Sequence, residues 1–407
     1  MHRLLQSRRS TRYGLLLGFC LCSGSVTVSA QSVAGVVARL EIDLRIGTQP
    51  GTAYEFGSLR YGFALAPDGG VLVPDNEMAN VRHFDSTGRV VQVIGRRGNG
   101  PGEFQSVRSV GFWADTIWVV DRVSRRVTLF PPKRNVITLP VAGIPPKSTI
   151  VGVLPSRALV FLPILSAQQL LLQSRAGFLT IQGSTATIPT FQRELGVGST
   201  VLALESGGGQ GTVRRDRLEQ ALSQDGLLAI SPNGKHVAVV DRRVQAARTP
   251  LMVEILDERG IRATSFTVDR EPVRVNPAFV SAQLDTIANH IQKFRPGEFK
   301  SQSAAKAFVA GQLKLPGTYP EPGGLIVEDD QTVWIAEPLR DRTVAELGPT
   351  TRTTDQMFWT AYDGSGKVKQ VVSIPLSVTL VAVRAGNFWG SAVDASGVPV
   401  VVRLRKR

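Results

Sequence analysis

The residues of this chain that could do chemistry recur at matching places along the sequence. The motif Glu-Phe-x-Ser-x-Arg occurs at residues 55–60 and again at 103–108, and acidic residues repeatedly follow apolar runs. If these groups converge, their carboxylates and guanidinium groups would offer a ligand charge-assisted hydrogen bonds. The candidate ligand-binding residues are Arg60, Asp75, Arg108, Asp121, Asp241 and Glu337.

A structural role is the alternative for the same residues. Each aspartate could accept backbone amides of its own turn, and each Glu–Arg pair could join one repeated unit to the next. Repetition fits this alternative, because a ligand rarely needs the same group from every unit. The sequence predicts no cofactor, although carboxylates such as Asp75 and Asp121 could hold Ca²⁺, which prefers oxygen ligands.

Other kinds of chemistry find little support. Beyond the first 30 residues the histidines are His83, His236 and His290, and no pair of them has metal-ligand spacing. No Gly-x-Ser-x-Gly nucleophile motif occurs. The glycine-rich segment 95–102 could cradle an anion with its backbone amides. No Gly-Lys-Ser/Thr follows it, and a strand comes next, so a turn between repeated units is favoured.

An internal repeat in the sequence indicates which secondary-structure elements position these residues. Residues 46–60 match residues 94–108 without gaps at a period of 48, with six identities in fifteen positions. Short apolar runs separated by Gly, Pro, Asn and Asp follow each copy, which is typical of β-strands joined by tight turns. A repeat of about 40–50 residues made of short strands indicates a propeller blade.

The predicted fold class is all-β: residues 31–407 form one domain, a six-bladed β-propeller. The last unit, within residues 378–404, has only three strands of its own. An alternating apolar strand at 38–46 is predicted to complete this blade, because an open seam would expose two strand edges. The complete units are predicted near residues 62–95, 108–140, 148–182, 226–268 and 323–373.

Two insertions between blades are predicted, at about residues 183–225 and 270–322. The first contains a glycine-rich run and a polar helical segment. The second is predicted to be helical, because Asn276 is a capping residue and Pro277 suits the first helical position. A second short helix follows at 304–313. The apolar face of the first helix consists of Val280, Leu284, Ile287 and Ile291.

The N-terminal 30 residues predict export. Four arginines precede an apolar core that is too short to span a bilayer, and small residues allow cleavage after Ala30. A signal peptide at 1–30 places the protein in the periplasm or outside the cell, with no transmembrane segment after its removal. Both cysteines lie inside this segment, so disulfides and thiol chemistry are ruled out for residues 31–407.

The charge and the absence of certain motifs limit the partners. The formal net charge of +14 falls to +10 once the four arginines of the predicted signal peptide are removed, and this charge would attract anionic surfaces. Nucleic acid is disfavoured, because the chain is predicted to be exported and carries no nucleic-acid-binding motif. The predicted partner is an envelope protein, a peptide or a polysaccharide, and the predicted state is a monomer.

Residues 95–104, followed by an apolar strand, the sequence Trp-Val-Val-Asp at 118–121 and the strand at 126–130, resemble the NHL repeat. The chain is similar to exported bacterial six-bladed β-propeller proteins of NHL type, closely over residues 41–130 and partially over 225–260 and 323–404. The resemblance implies a binding or scaffold role more often than catalysis. Related six-bladed rings include metal-dependent lyases and lactonases.

The sequence therefore predicts an exported, non-catalytic propeller that binds a ligand or partner on the face that bears the Asp and Arg residues. Two alternatives stay open. One is a metal-dependent, lactonase-like hydrolase or lyase with carboxylates lining the channel. The other is a structural envelope protein whose basic surface holds it to acidic polymer. An enzyme is the less favoured interpretation, because the sequence contains no catalytic constellation.

Overall fold

A computed structural model of the protein describes residues 27–28, 37–47, 54–57, 59, 62–141, 148–156, 158–163, 174–182, 185–195, 227–240, 250–270, 272–294, 297–312, 317–319, 322–337 and 356–406. These residues form β-strands almost throughout, with two helices in one insertion. Strands β1 to β6 are Thr27–Val28, Ala38–Ile46, Ala64–Leu65, Val71–Asp75, Asn80–Phe84 and Val90–Ile94. Strands β7 to β14 are Val107–Trp113, Thr116–Asp121, Arg126–Phe130, Ile137–Pro140, Ser148–Val153, Ala158–Pro163, Ser174–Gln182 and Thr185–Leu195.

The C-terminal half of the chain contains the helices and the remaining strands. Strands β15 to β18 are Leu227–Ile230, His236–Val240, Leu251–Asp257 and Arg262–Val268. Helices α1 and α2 are Pro277–Phe294 and Gln302–Gln312. Strands β19 to β25 are Gly324–Val327, Val333–Ala336, Gln356–Tyr362, Val368–Pro375, Thr379–Arg384, Asn387–Val393 and Pro399–Lys406.

Most strands pair antiparallel with the next strand along the chain. Strands β3–β6, β7–β10 and β11–β14 form three four-stranded sheets, and β15–β18 form a fourth sheet that gains β1 at its outer edge. Strand β1 pairs in parallel with β18 through Thr27 and Val28, two residues of the predicted signal peptide. Strands β19–β25 and β2 make one eight-stranded sheet.

The turns between many of these strands share one chemistry. In each, an aspartate Oδ1 accepts the N–H groups of the residues two and four positions later, as Asp85 does from Thr87 and Arg89 at 2.8 and 3.0 Å. The residue at the third position is a glycine with positive φ, such as Gly88 at 85°, a conformation that other residues rarely adopt. The same arrangement recurs at Asp257, Asp363 and Asp394. Local sequence therefore specifies these hairpins.

The N-terminal strand β2 joins two parts of the eight-stranded sheet. It pairs with β22 in parallel at Ala38 and Arg39, and then antiparallel with β25 from Leu40 to Ile46. Leu40 and Ile46 are 1% and 2% exposed. The predicted pairing of this strand with the end of the chain is confirmed.

The sheets follow one another in a closed circle. Strand β3 contacts β7 and β7 contacts β11; β15 contacts β19, and β19 contacts β23, which returns to β3. The junction of β11 with β15 is close enough that a Cβ on Gly152 would lie 2.3 Å from Cδ1 of Ile230. An apolar cluster fills each junction between neighbouring sheets. This arrangement is a β-propeller.

The two predicted insertions have different outcomes. Helices α1 and α2 confirm the helical insertion, and the N–H of Ala278 donates to Oδ1 of Asn276 at 2.9 Å, as a helix cap does. The predicted start of the other insertion is wrong, because residues 185–195 form β14 and complete the sheet β11–β14. Residues 196–226, which include the predicted glycine-rich run and polar helix, lie outside the described residues.

Candidate functional site

One cavity of about 380 Å³ lies where six strands of the ring meet. Residues of β3, β7, β11, β15, β19 and β23 line it, and we call it the central cavity. Its lining, as far as the structure describes the chain, carries no charged side chain and is mainly aliphatic and aromatic, with Phe63, Phe112, Leu228 and Leu325 as examples. This volume and an apolar wall are typical of sites that bind small molecules.

The six strands around the central cavity also present backbone groups to it. Each of them stands at the end of its sheet order and pairs with one neighbouring strand in the described sheets. The N–H and C=O groups of the other edge therefore have no strand partner there, and such groups need hydrogen bonds from water or from a ligand. The cavity thus combines an apolar wall with hydrogen-bonding groups that are fixed in position.

The turns 66–70, 231–235, 328–332 and 384–387 lie at one end of the ring, which we call the hairpin end, and charged side chains connect them. Oδ1 of Asp329 accepts the N–H of Asn233 at 2.8 Å, and its Oδ2 pairs with Nη2 of Arg384 at 2.8 Å. Arg384 also donates through Nη1 to the carbonyl of Ala66 at 3.2 Å. These contacts tie four turns together, and the two opposite charges compensate each other.

Asp75 is a predicted site residue that lies at the opposite end of its sheet, which we call the connector end. Its side chain is 1% exposed. Oδ1 accepts the N–H groups of Glu77 and Met78 at 2.9 and 3.0 Å, and Oδ2 accepts a hydrogen bond from Nη2 of Arg82 at 2.6 Å. A ligand would have to displace these bonds to reach the carboxylate.

Asp121 holds the corresponding turn of the next sheet. Its side chain is 0% exposed, and four backbone N–H groups donate to it at 2.9–3.2 Å. Two of them belong to the segment that enters β7, and two belong to the turn that follows β8. The donors are Gln105, Ser106, Val123 and Ser124. Both aspartates therefore accept backbone N–H groups of their own turns, as expected if they have a structural role rather than a ligand-binding role.

The repeated Glu-Phe motif is held by arginines that sequence analysis missed. Arg82 donates through Nη1 to the carbonyl of Glu55, and Arg126 donates through Nη2 to the carbonyl of Glu103. Each bond ties the segment that enters a sheet to the third strand of that sheet. The internal repeat could not reveal these arginines, because they stand at different distances from the repeated aspartates.

The side chain of Glu103 occupies the glycine-rich turn at 95–102. Its Oε2 accepts the N–H of Gly100 at 2.9 Å, and its Oε1 pairs with Arg96 at 2.8 Å. The hydrogen bond from Gly100 is the largest cause that lowers the pKa of Glu103, and the hydrogen bond from Arg96 is the next largest. A side chain of the chain itself thus takes the place that an anion would occupy, which favours a structural role for this turn.

The other four candidate residues are only partly described. Arg108 lies in β7, one residue beyond Val107, which is the strand partner of Asp121. Glu337 follows β20 in a different sheet, and its N–H donates to the carbonyl of Phe358 at 3.0 Å. Arg108 and Glu337 are both partly exposed at the connector end. Arg60 and Asp241 lie outside the described residues.

Two titratable side chains near the hairpin end have shifted pKa values. Burial raises the pKa of Glu328, and nearby Asp330 adds to the rise, whereas a hydrogen bond from Nε1 of Trp334 at 2.7 Å opposes it. Burial lowers the pKa of His236, although the charge of Asp329 acts in the opposite direction. Folding thus favours the uncharged form of both side chains.

The raised pKa of Glu328 predicts a pH-dependent effect of its substitution. Its contribution to stability is present below the ordinary pKa of 4.5 and is lost as the pH rises through the folded value. Glu328→Gln keeps an acceptor for Trp334 without a charge. We therefore expect the free energy of unfolding of this variant, relative to that of the wild type, to increase as the pH rises from about 3 to about 7. Urea unfolding at each pH measures this difference.

The matched control for this experiment is Asp363→Asn. The hydroxyl of Ser365 lowers the pKa of Asp363, so its contribution is present above the ordinary value of 3.8 and is lost as the pH falls. This variant should therefore lose stability relative to the wild type over the same rise in pH. A difference between wild type and Glu328→Gln that stays constant with pH would contradict the effect of burial on Glu328.

Within the described ranges, no group of three or more His, Cys, Asp or Glu side chains is placed to hold a metal ion. The helices that the structure describes include none with the length and apolar character needed to cross a membrane.

Comparison with known proteins gives distant structural likenesses. No protein family and no curated protein sequence matches the chain. A protein of the DUF4221 family from Bacteroides vulgatus has a TM-score of 0.42 and 8% identity, covering 90% of this chain and 98% of that one. Virginiamycin B lyase from Staphylococcus aureus has a TM-score of 0.35 and 10% identity, and the match covers 90% of this chain and 99% of that one. The PQQ-bound aldose sugar dehydrogenase from Streptomyces coelicolor has a TM-score of 0.39 and 11% identity, and the match covers 90% of this chain and 98% of that one. These low scores carry no inference about ligand or reaction.

Proposed function

We propose that the protein is an exported six-bladed β-propeller that binds a small, largely apolar molecule in the central cavity and does not transform it. The observation that carries this proposal is the cavity, because all six strands around the ring contribute to one apolar wall. Burial of an apolar ligand against such a wall is favourable in proportion to the area removed from water.

The strand order supports the count of six blades. The eight-stranded sheet can be divided where β2 touches β22, a parallel contact that involves only Ala38 and Arg39 of β2. The division leaves units of four strands, the last of which is β23–β25 completed by β2. The sequence of residues 95–104 and of the strands that follow it at 118–121 and 126–130 supports the assignment to the NHL type.

The N-terminal sequence supports export. Its arginines, short apolar core and small residues before Ala30 fit a cleaved signal peptide. Cleavage after Ala30 would remove β1 and leave β2 as the first strand of the ring. The protein would then meet its ligand, and any envelope partner, in the periplasm or outside the cell.

The connector end is the proposed entrance to the central cavity. The contacts of Asp329 with Asn233 and of Arg384 with Ala66 cross the hairpin end, where Ser231, Pro232 and Gly234 also line the cavity. The connector end, which these contacts leave uncrossed, is therefore the proposed route for a ligand. Arg108 and Glu337 lie at the connector end and are the polar side chains proposed to meet a ligand there. Asp75 and Asp121 act in this scheme by holding the surrounding turns, and Arg60 and Asp241 stay proposed ligand-binding residues on the sequence alone.

Binding can be tested with 6-propionyl-2-(dimethylamino)naphthalene, an uncharged fluorescent ketone that reports the polarity of its surroundings. We expect one molecule to bind per chain with a blue shift of its emission. Ala229→Phe and Ala382→Phe each enlarge a residue that lines the cavity, and each should weaken binding about tenfold or more, because the added ring occupies ligand space.

The control is Ala307→Phe, on an exposed position of α2, which should leave binding unchanged. Circular dichroism and thermal unfolding establish that each variant is folded before it is titrated. Absence of binding by the wild-type protein would contradict the proposed function. Equal binding by all folded variants would also contradict it, because the probe would then lie outside the central cavity.

A further inference from the structure

The side chain of Trp118 reaches the central cavity, although Trp118 lies in β8, the second strand of its sheet. Trp118 lies opposite Gly111 of β7, the strand that borders the cavity, and both residues line the cavity wall. A Cβ on Gly111 would stand 2.4 Å from Cζ2 and 3.0 Å from Nε1 of the indole. The indole therefore lies across β7 in the space that a side chain at position 111 would occupy.

The indole N–H of Trp118 has no hydrogen-bond partner in the described structure. The residue is 6% exposed, and its neighbours in the apolar cluster include Leu129, Val141 and Ile150. A buried donor without an acceptor is costly, and native proteins rarely leave one in that state. An acceptor supplied by a ligand in the cavity would satisfy it.

The charge around the cavity limits what that ligand can be. The described lining contains no ionised side chain, and the charges of Asp329 and Arg384 at the hairpin end neutralise each other at 2.8 Å. An ionised group would lose its hydration in such a site without gaining a partner. A neutral oxygen, by contrast, can accept the hydrogen bond from Nε1 of Trp118 without the loss of hydration that a charged group would suffer.

We infer that Trp118 is a ligand-binding residue of the central cavity and that the ligand is an uncharged, largely apolar molecule with a carbonyl or ether oxygen. This inference rests on the proposed function, since it specifies the ligand class of the same cavity. The apolar body of the ligand packs against residues such as Phe63 and Leu228, and its oxygen accepts the hydrogen bond from Nε1 of Trp118.

The test compares two probes that differ by one oxygen. The first is 6-propionyl-2-(dimethylamino)naphthalene, and the second is 6-propyl-2-(dimethylamino)naphthalene, which lacks the carbonyl. Trp118→Phe should weaken binding of the ketone about 2- to 12-fold more than binding of the propyl analogue, the range expected for one neutral hydrogen bond. Trp359→Phe is the matched control, because Nε1 of Trp359 is also buried without a partner but this residue does not line the cavity.

A second measurement requires no substitution. The protein contains five tryptophans, so selective ¹⁵N-tryptophan labelling gives five indole N–H signals. The ketone should move one of these signals downfield, and the propyl analogue should not. Equal weakening of both probes in Trp118→Phe, or equal shifts with both probes, would overturn the inference while leaving the proposed function intact. Failure of both probes to bind the wild type would instead overturn the proposed function.

Discussion

Deletion of residues 31–47 is expected to abolish cooperative unfolding of the ring under conditions in which the full chain is stable. The deleted segment contains β2, which pairs with β25 and also touches β22. Without it, β25 becomes an unpaired strand edge at the seam of the propeller, and such edges promote association between molecules. Thermal unfolding followed by circular dichroism, together with light scattering, measures the outcome.

The expected loss is large compared with the stability of a typical domain. Leu40 and Ile46 are almost fully buried, and burial of each contributes about 1.5–3 kcal/mol. The deletion also removes Asp43, whose Oδ2 lies 2.8 Å from Nη2 of Arg403. Arg403 is 8% exposed, so it would keep a buried charge without its carboxylate. Domains are stable by only about 5–15 kcal/mol.

Point substitutions in β2 separate loss of the seam from a general effect of truncation. Leu40→Ala should cost about 2–5 kcal/mol, because it leaves a cavity in the cluster between the two halves of the eight-stranded sheet. Arg45→Ala, on the exposed side of the same strand, should change stability by less than about 0.5 kcal/mol. A synthetic peptide of residues 36–48 should partly restore folding of the truncated chain. A truncated protein that melts like the full chain would show that β2 does not close the ring.

Sequence patterns predict those parts of the fold that local chemistry determines. The closing strand could be predicted because its alternating apolar residues include Leu40 and Ile46, and because a ring cannot leave its edge open. The helical insertion could be predicted from Asn276 and the apolar face that follows it. The two predicted aspartates that the structure describes were found because each ends a strand of a repeated unit and meets its turn.

Features that depend on tertiary structure could not be predicted in the same way. Strand β14 (Thr185–Leu195) falls in the segment that the sequence assigned to an insertion, and Pro189 within it is unusual for a strand. Strand β14 is the outer strand of its sheet, where proline is tolerated because one edge needs no donor. The central cavity also has no local signature, because each of its six strands contributes only a few residues. The contact between Gly111 and Trp118 in the cavity wall becomes apparent only when β7 and β8 are seen to pair.

The second large effect is expected for Asp121→Ala, which should lower the free energy of unfolding by about 3–5 kcal/mol. The substitution removes the acceptor of four backbone N–H groups, and the residue is fully buried. Hydrogen bonds to an ionised acceptor contribute more than neutral ones, and buried donors left without an acceptor add a further penalty. Denaturant unfolding of the purified variant measures the change.

Two further variants show whether Asp121 supports the turn or contacts the ligand. Asp121→Asn keeps one acceptor oxygen, so its loss of stability should be smaller than that of Asp121→Ala. Asp115→Ala, at an exposed position in the turn between β7 and β8, should change stability by less than about 0.5 kcal/mol. If Asp121→Ala unfolds like the wild type but no longer binds the naphthalene ketone, Asp121 belongs to the ligand site after all. If Asp121→Asn loses stability and binds the ketone normally, the repeated aspartates maintain the rim through which the ligand passes, and recognition lies deeper, on the walls of the central cavity.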